Sequence, residues 1–276
     1  MSGMNPNPKG LLLQLAGLVL ATAVALGLQA REGATLSDNL YGYTMAESPG
    51  DGTCGFHYID LEGSGQPLAL VRGNAKAEAD DQAAVLRLQQ PFELYQLPAL
   101  SLVVSGNGYL AVADSLAVED GSDFSNDCRL PARADNPAAA QNRIYVYHDD
   151  LRPLPGGGVR QAFFARCPRA SAGGADEACT VVEWNGFERA GPVPSTQPLR
   201  AQAVLYHGSQ EIALQYASLD DSRAAQATIG LQGFDGRAAR EASCNSAKRR
   251  TSRQSICFFD PRHPPAAPLA RAAPRG

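Results

Sequence analysis

The stretch "LSLVVSGNGYLAVA" (residues 100–113) places two strand-like apolar runs, Ser101–Val104 and Tyr109–Ala113, on either side of an Asn-Gly pair. Apolar residues that recur with a period of two are typical of β-strands. Asn-Gly favours a two-residue type I′ turn because both central residues of that turn need positive φ. The stretch therefore predicts a β-hairpin.

The rest of the chain repeats this pattern of short strands and turns. Glycine and proline turn signals separate the runs, and "YHGSQE" (206–211) joins two of them, whereas "NAKAEADDQAA" (74–84) is interpreted as a polar loop. Short strands with frequent turns favour an all-β fold, an antiparallel β-sandwich. The other predicted strands are Cys54–Leu61, Ala83–Gln89, Arg143–His148, Val159–Arg166, Cys179–Trp184, Arg200–Tyr206, Glu211–Tyr216 and Ala227–Leu231.

The N-terminus has the features of an export signal. Lys9 precedes an apolar run from Leu11 to Leu28, and small residues follow it up to Ala30. This pattern predicts a signal peptide over residues 1–30 with an apolar signal helix. The alternative is an uncleaved anchor, since about 18 apolar residues approach the length that spans a bilayer. The predicted location is secreted or periplasmic, with contact to a membrane only if the signal is retained.

The remaining chain is predicted to form one sandwich domain over residues 31–260. The proline- and alanine-rich tail, residues 261–276, offers little to bury and is predicted to be disordered. The formal net charge is −4, and removing Lys9 with the signal makes it −5. This mild charge gives no indication of a nucleic-acid partner.

The six cysteines are even in number and contain no C-x-x-C pair. In an exported chain they predict three disulfides rather than a zinc or redox site. Six cysteines allow 15 pairings, among which the sequence does not choose. Proximity along the chain favours Cys167–Cys179 and Cys244–Cys257, which leaves Cys54–Cys128.

Several segments share their order and spacing with a known kind of module. They are "PFELYQLPALSLVVSGNGYLAVA", "DFSNDCRLP", "NRIYVYHDDL", "CTVVEWNGFERAG", "QAVLYHGSQEIALQY" and "ATIGLQ". Together they resemble a β-sandwich module of secreted bacterial proteins that is distantly similar to the nidogen-type extracellular domain, over residues 83–232. The chain departs from the pattern at residues 95–96, where it has Tyr-Gln instead of Tyr-Gly. The resemblance implies an extracellular, non-catalytic accessory or adhesive module and names no ligand.

The stretch "RIYVYHDDL" (143–151) ends a predicted strand with a histidine and two aspartates. The strand is predicted to be central, with Ile144 and Val146 on one face and the two tyrosines on the other. The aspartates are predicted to cap the following turn. The alternative is a calcium site, because hard cations bind clustered carboxylates. Its ligands would be Asp149 and Asp150 together with Asp123 and Asp127. Asp120, in the same loop as Asp123 and Asp127, could contribute a further oxygen.

Other candidate sites are weaker. Trp184 is expected in the core, or alternatively exposed as a platform for a sugar ring. The basic segment "AKRRTSR" (247–253) is expected to be solvated, or alternatively to attract an anionic polymer or lipid headgroups. The four histidines are scattered, and no G-x-S-x-G, H-E-x-x-H or Walker sequence is present.

The sequence therefore favours a secreted, non-catalytic binding or adhesion module of a bacterial envelope or exterior, with no cofactor except the calcium alternative. Its partner would be an extracellular polysaccharide or a surface protein. Two alternatives stay open. One is a cryptic extracellular hydrolase, whose catalytic residues would come from distant parts of the chain. The other is an envelope structural protein held by its uncleaved N-terminus.

Overall fold

A computed structural model describes residues 42–50, 52–73, 80–126, 128–132, 142–220, 226–236, 238–245 and 251–265. The predicted signal peptide and most of the predicted tail lie outside these residues. Among the described residues, no helix is long and apolar enough to cross a membrane.

The described residues form an all-β fold of fourteen strands in two antiparallel sheets, as predicted. Sheet A has the order β1-β14-β11-β10-β9-β8-β2 and sheet B the order β13-β12-β7-β6-β5-β4-β3. In chain order the strands are β1 Thr44–Glu47, β2 Gln66–Leu68, β3 Val71–Arg72, β4 Gln82–Leu94, β5 Leu97–Ser105, β6 Tyr109–Val112, β7 Arg143–His148, β8 Leu151–Phe164, β9 Cys179–Arg189, β10 Leu199–Tyr206, β11 Ile212–Ser218, β12 Thr228–Gln232, β13 Ala239–Cys244 and β14 Gln254–Phe259.

The main core lies between the two sheets, where apolar side chains from both inner faces pack together. Two polar groups inside it are paired across the sandwich. The Trp184 indole Nε1–H donates to the Ser105 carbonyl oxygen at 2.8 Å, and the Tyr216 hydroxyl donates to the Val146 carbonyl oxygen at 2.6 Å. These bonds fix how the sheets face each other, because a buried polar group without a partner would be costly.

The predicted strand Cys54–Leu61 is wrong: these residues run across the outer face of sheet A without joining it as a strand. Their backbone bonds to glutamine side chains that project from the sheet. Gln202 accepts from the Ile59 N–H and donates to the Ile59 carbonyl oxygen, both at 3.0 Å. Ile59 and Leu61 are buried in an apolar cluster on this face, which explains the strand-like alternation.

The outer face of sheet B is also covered. A 3₁₀ helix, Val118–Gly121, lies over Ala83 and Val103. A Cβ at Gly121 would approach the Ala83 Cβ to 2.2 Å, so only glycine allows this contact. Tyr109 and Tyr145 are buried on the same face. Each sheet therefore carries a buried cluster on its outer face as well, although Val85 on the outer face of β4 stays 45% exposed.

The hairpin between β5 and β6 forms, but with a longer loop than the predicted type I′ turn. The Gly108 N–H donates to the Ser105 carbonyl oxygen at 3.3 Å, and Gly108 has a φ of +77°. Asn107 is not among the residues with positive φ. The loop thus spans Gly106–Gly108, a three-residue connection in which one left-handed glycine ends the turn.

Strand β7 is central in its sheet, as predicted, but its two faces are not divided as predicted. The Gly108 carbonyl oxygen accepts from both the Val146 N–H and the Tyr147 N–H, each at 3.0 Å. The opposite strand pairs Thr228 with His148 and Gly230 with Tyr145. Two residues of β7 therefore oppose one of β12, which is a β-bulge. The bulge turns Tyr147 into the main core beside Val146 and leaves Tyr145 on the outer face.

The structure confirms three disulfides and the predicted pair Cys167–Cys179, but it corrects Cys244–Cys257 and with it the remaining pair Cys54–Cys128. Cys167–Cys179 is present, with Cα atoms 5.3 Å apart, in the connection between β8 and β9. The other two bridges are Cys54–Cys257 and Cys128–Cys244. Cys244 ends β13 in sheet B whereas Cys257 lies in β14 in sheet A, so these two neighbours in sequence belong to different sheets.

Gly108→Ala tests the hairpin turn. A Cβ at this position would lie 2.1 Å from the Tyr147 carbonyl oxygen, in addition to the cost of a positive φ. We expect a loss of about 3 kcal/mol or more in the free energy of unfolding, measured by denaturant titration. Gly156→Ala is the matched control, because Gly156 has a φ of +81° and no atom within 4 Å of the added Cβ. It should cost only about 1–2 kcal/mol, and equal losses would contradict the role of the close contact.

Candidate binding site at one end of the sandwich

A shallow cleft lies at the end of the sandwich where β7 turns into β8 and β9 ends. The empty space in and above it is about 300 Å³, a figure that includes open solvent. Its floor is apolar and is formed by Tyr147, Leu151, Phe187, Leu199 and Leu219. Its polar rim consists of Glu188, Arg189, Ser195, Gln197 and Asp220.

Two buried carboxylates hold the loop that forms one wall of the cleft. The loop, residues 190–198, contains three prolines. Glu188 accepts from the Ser195 N–H at 3.1 Å, and Asp220 accepts from both the Thr196 N–H and its hydroxyl at 3.0 Å. The prolines and these bonds together restrict the loop to one conformation.

Two partly exposed arginines near the cleft pair with buried carboxylates. Arg152 bonds to Glu188 through Nε at 3.0 Å and Nη2 at 2.8 Å, and its side chain is 42% exposed. Arg189, whose side chain is 40% exposed, places Nε 2.9 Å from the Asp149 Oδ2. Each guanidinium is therefore held by a carboxylate while part of its side chain stays exposed.

Asp149 supports the turn after β7. Its Oδ1 accepts from the Asp150 N–H at 3.0 Å, which agrees with the predicted turn-capping role. Burial raises the pKa of Asp149, and the attraction of Arg189 opposes this rise. The ion pair with Arg189 also ties the β7–β8 turn to the end of β9.

Asp150 belongs to an acidic corner beside the cleft. Partial burial and the negative charges of Asp80, Asp81 and Asp149 raise the pKa of Asp150. Asp81 is itself buried and accepts from the Asn107 amide at 2.8 Å. The corner is therefore a region of negative potential at the end of the sandwich.

Of the four aspartates in the calcium hypothesis, the three that the structure describes, Asp123, Asp149 and Asp150, are not brought together as one site. Asp123 instead pairs with Arg143, with Nη1 2.6 Å from Oδ2, and Asp127 lies outside the described residues. Within the described part of the chain, no group of three or more His, Cys, Asp or Glu residues is placed to hold a metal ion.

Arg143 is the centre of a buried polar cluster on the outer face of β7. Its guanidinium carbon lies 4.4 Å from the centre of the Tyr109 ring, and His148 packs on Tyr109 and Tyr145 with ring centres 5.0 and 5.3 Å apart. Burial alone would raise the pKa of Asp123, but Arg143 holds it well below its usual range. The cluster therefore contains a charged pair that stabilises the fold.

Trp184 does not form an exposed sugar platform. Its side chain is in the main core, and the residue is 1% exposed. Sequence reasoning had not singled out Arg189, Glu188 or Asp220, which shape the cleft. The sequence pattern that could have indicated the first two is "FERAGPVPSTQP" (187–198), in which charged residues directly precede a proline-rich turn.

Asp123→Ala should destabilise the fold by about 3–5 kcal/mol, because it leaves the fully buried Arg143 without its carboxylate. Asp150→Ala is the control and should change stability by no more than about 0.5 kcal/mol. Since the folded-state pKa of Asp123 is lowered, the stabilisation is present above the unfolded value of 3.8 and is lost as pH falls through the folded value. Denaturant titrations from pH 7 to 2.5 should show that the free energy of unfolding falls with pH in the wild type. The fall should be smaller in Asp123→Ala. Equal acid sensitivity would refute this assignment.

The comparisons with known proteins agree with this architecture. The family model described as NIDO related matches residues 56–261, more than half of the chain. No curated protein and no solved structure matches the chain. The match confirms the resemblance to the nidogen-type domain, and the domain together with the three disulfides indicates an extracellular or secreted module. The chain belongs to the NIDO-related family.

Proposed function

We propose that the protein is a non-catalytic binding or adhesion module that acts outside the cell. The observation that carries the proposal is the end cleft, which combines an apolar floor with the partly exposed Arg189 at its rim. Arg152, which bonds to the rim residue Glu188, lies beside it, and three disulfides hold the sandwich. Concave sites with an apolar base and a few oriented polar groups are typical of ligand binding. An extracellular polysaccharide or a surface protein with acidic groups fits Arg189 at the rim.

The described histidines support binding rather than hydrolysis. His148 is buried, with Nδ1 3.0 Å from the Asn107 carbonyl oxygen. The Nε2 of His207 accepts from the Thr180 hydroxyl at 2.9 Å, which is an arrangement of a base and a nucleophile. Thr180 is 2% exposed, however, and a substrate carbonyl would have to reach its oxygen. The hydrolase alternative is therefore less well supported.

The more specific parts of the proposal concern export. We propose a bacterial envelope protein that is secreted or periplasmic after cleavage of residues 1–30. The uncleaved anchor is the alternative, and the two differ in the N-terminus of the mature protein. The pattern of Lys9 followed by an apolar run supports export in either case.

A calcium ion at the acidic corner is the less well supported alternative, because among the described residues no three metal-ligating side chains come together. Asp150 and Asp80 would supply the accessible carboxylates, since Asp149 is paired with Arg189. Calcium that binds only the folded state would stabilise it by about 2.7 kcal/mol at a hundredfold excess over its dissociation constant. We expect thermal melts with calcium and with a chelator to coincide. A higher midpoint with calcium, abolished by Asp150→Ala, would establish the site.

A variant that fills the cleft tests the proposed function. Gln197 is exposed on the rim, so Gln197→Trp should block the cleft without disturbing the core. We expect it to weaken binding of the labelled protein to envelope fractions and to purified extracellular polysaccharide by at least about tenfold, or about 1.4 kcal/mol. Gln89→Trp, at an exposed position of β4, is the matched control and should bind normally. Equal binding by both variants, or turnover of the polysaccharide, would argue against this function.

A further inference from the structure

The loop between β9 and β10 presents an apolar tip to solvent beside the cleft. The tip consists of Pro192, Val193 and Pro194, all of which are exposed. Val193 is 57% exposed, and among the described large apolar residues only Phe234 is more exposed. A single exposed apolar side chain is ordinary on a protein surface. What the tip does therefore depends on how the loop holds it and on what surrounds it.

Several contacts fix the loop on both sides of the tip. Before the tip, the Ala190 N–H donates to the Asp150 carbonyl oxygen at 2.8 Å. After it, the two buried carboxylates of the cleft wall accept hydrogen bonds from the loop, and the Ser218 hydroxyl donates to the Pro198 carbonyl oxygen at 2.6 Å. The proline rings restrict the backbone further. The tip is thus rigid, and a rigid apolar group loses little conformational entropy when a partner covers it.

The charges around the tip favour a partner whose acidic groups are few and placed individually. Arg189, four residues before Val193, is the partly exposed cation at the rim. The acidic corner lies at the base of the same loop, where Ala190 bonds to Asp150. An anionic polysaccharide or an anionic lipid surface repeats its charge, so it would meet this corner as well as Arg189 and be repelled there. A protein can place one carboxylate against Arg189 and none against the corner.

The polar groups of the cleft are poorly suited to a neutral sugar. Sugar rings stack on open aromatic faces, but Tyr147 and Phe187 in the cleft floor are only 7% and 0% exposed. The rim carboxylates of Glu188 and Asp220 already accept hydrogen bonds from the loop. An apolar side chain of a protein needs neither an aromatic face nor these acceptors, because removing apolar surface from water is itself favourable.

We propose that the tip and the cleft together form a docking surface for a protein partner, which packs apolar side chains against Val193 and the cleft floor and sets a carboxylate against Arg189. This inference rests on the proposed function and names the class of partner. Val193 is the anchor residue of the surface. Rigid, centrally packed apolar residues next to an arginine are the kind of group that contributes most to protein–protein affinity.

Selection of short random peptides displayed on phage, with the full disulfide-bonded chain as the target, tests the proposal. The selected peptides should carry an aliphatic or aromatic residue close to an aspartate or glutamate. As free synthetic peptides they should bind Val193→Ser at least about fivefold more weakly than the wild type, since the variant removes apolar contact area. Val85→Ser is the matched control, because Val85 is a valine that is 45% exposed on the outer face of β4. Its affinity should equal that of the wild type, and equal losses in both variants would overturn the proposal.

A second measurement changes the peptide and leaves the protein intact. Replacing the selected aspartate or glutamate by its amide should weaken binding to the wild type at least about threefold, because the ion pair with Arg189 is lost. The difference between the acid and the amide should shrink as salt is added. An amide peptide that binds as well as the acid would overturn the proposal.

Titrations of the same variants with polygalacturonate, dextran and phosphatidylglycerol vesicles separate this inference from the proposed function. We expect none of the three to bind in a way that depends on Val193. If one of them binds the wild type but not Val193→Ser, and no selected peptide depends on Val193, the partner is not a protein, yet a binding function stands. If neither the peptides nor these three probes bind, the inference and the proposed function both fail.

Discussion

Each sheet of this protein carries apolar side chains on both faces, and the whole architecture follows from the need to cover four faces. Two of them cover each other and form the main core. The other two also contain buried clusters, around Val181 and Val204 in sheet A and around Tyr109 and Tyr145 in sheet B. An ordinary sandwich leaves its outer faces to solvent. Here an irregular segment covers part of each outer face.

The two long disulfides belong to this covering. Cys54 lies in the segment over sheet A and joins Cys257 in β14 of that sheet. Cys128 follows the segment over sheet B and joins Cys244 at the end of β13. An irregular segment gains little from ladder hydrogen bonds, and a disulfide that closes a long loop removes much of the unfolded chain's entropy. Each disulfide thereby holds the irregular segment to the sheet on which it lies.

Enclosing both faces also brings charged residues into buried positions, where they act structurally. Arg143 is neutralised by Asp123 under the cover of sheet B, and Arg169 by Glu211 under the cover of sheet A. Breaking such a pair is costly because a buried charge remains. The more accessible polar side chains described above lie at the two ends of the sandwich. One end has the cleft, and the other has His207 with its contacts to Thr180 and Pro91.

Local sequence patterns were sufficient to predict the fold class, the hairpin around Asn107 and Gly108, the central strand "RIYVYH", the bridge Cys167–Cys179 and the family resemblance. These features depend on period two, turn residues, short loops and the order of motifs. The same patterns led to the prediction of a strand at residues 54–61 and missed β14, "QSICFF", because alternation reports burial on one face and does not reveal which partner covers it. The long disulfides, the bulge that moves Tyr147 into the core, and the pairing of Asp149 with Arg189 are visible only in the three-dimensional arrangement. Each of these joins residues far apart in the chain, whose distance is set by which sheet each strand enters.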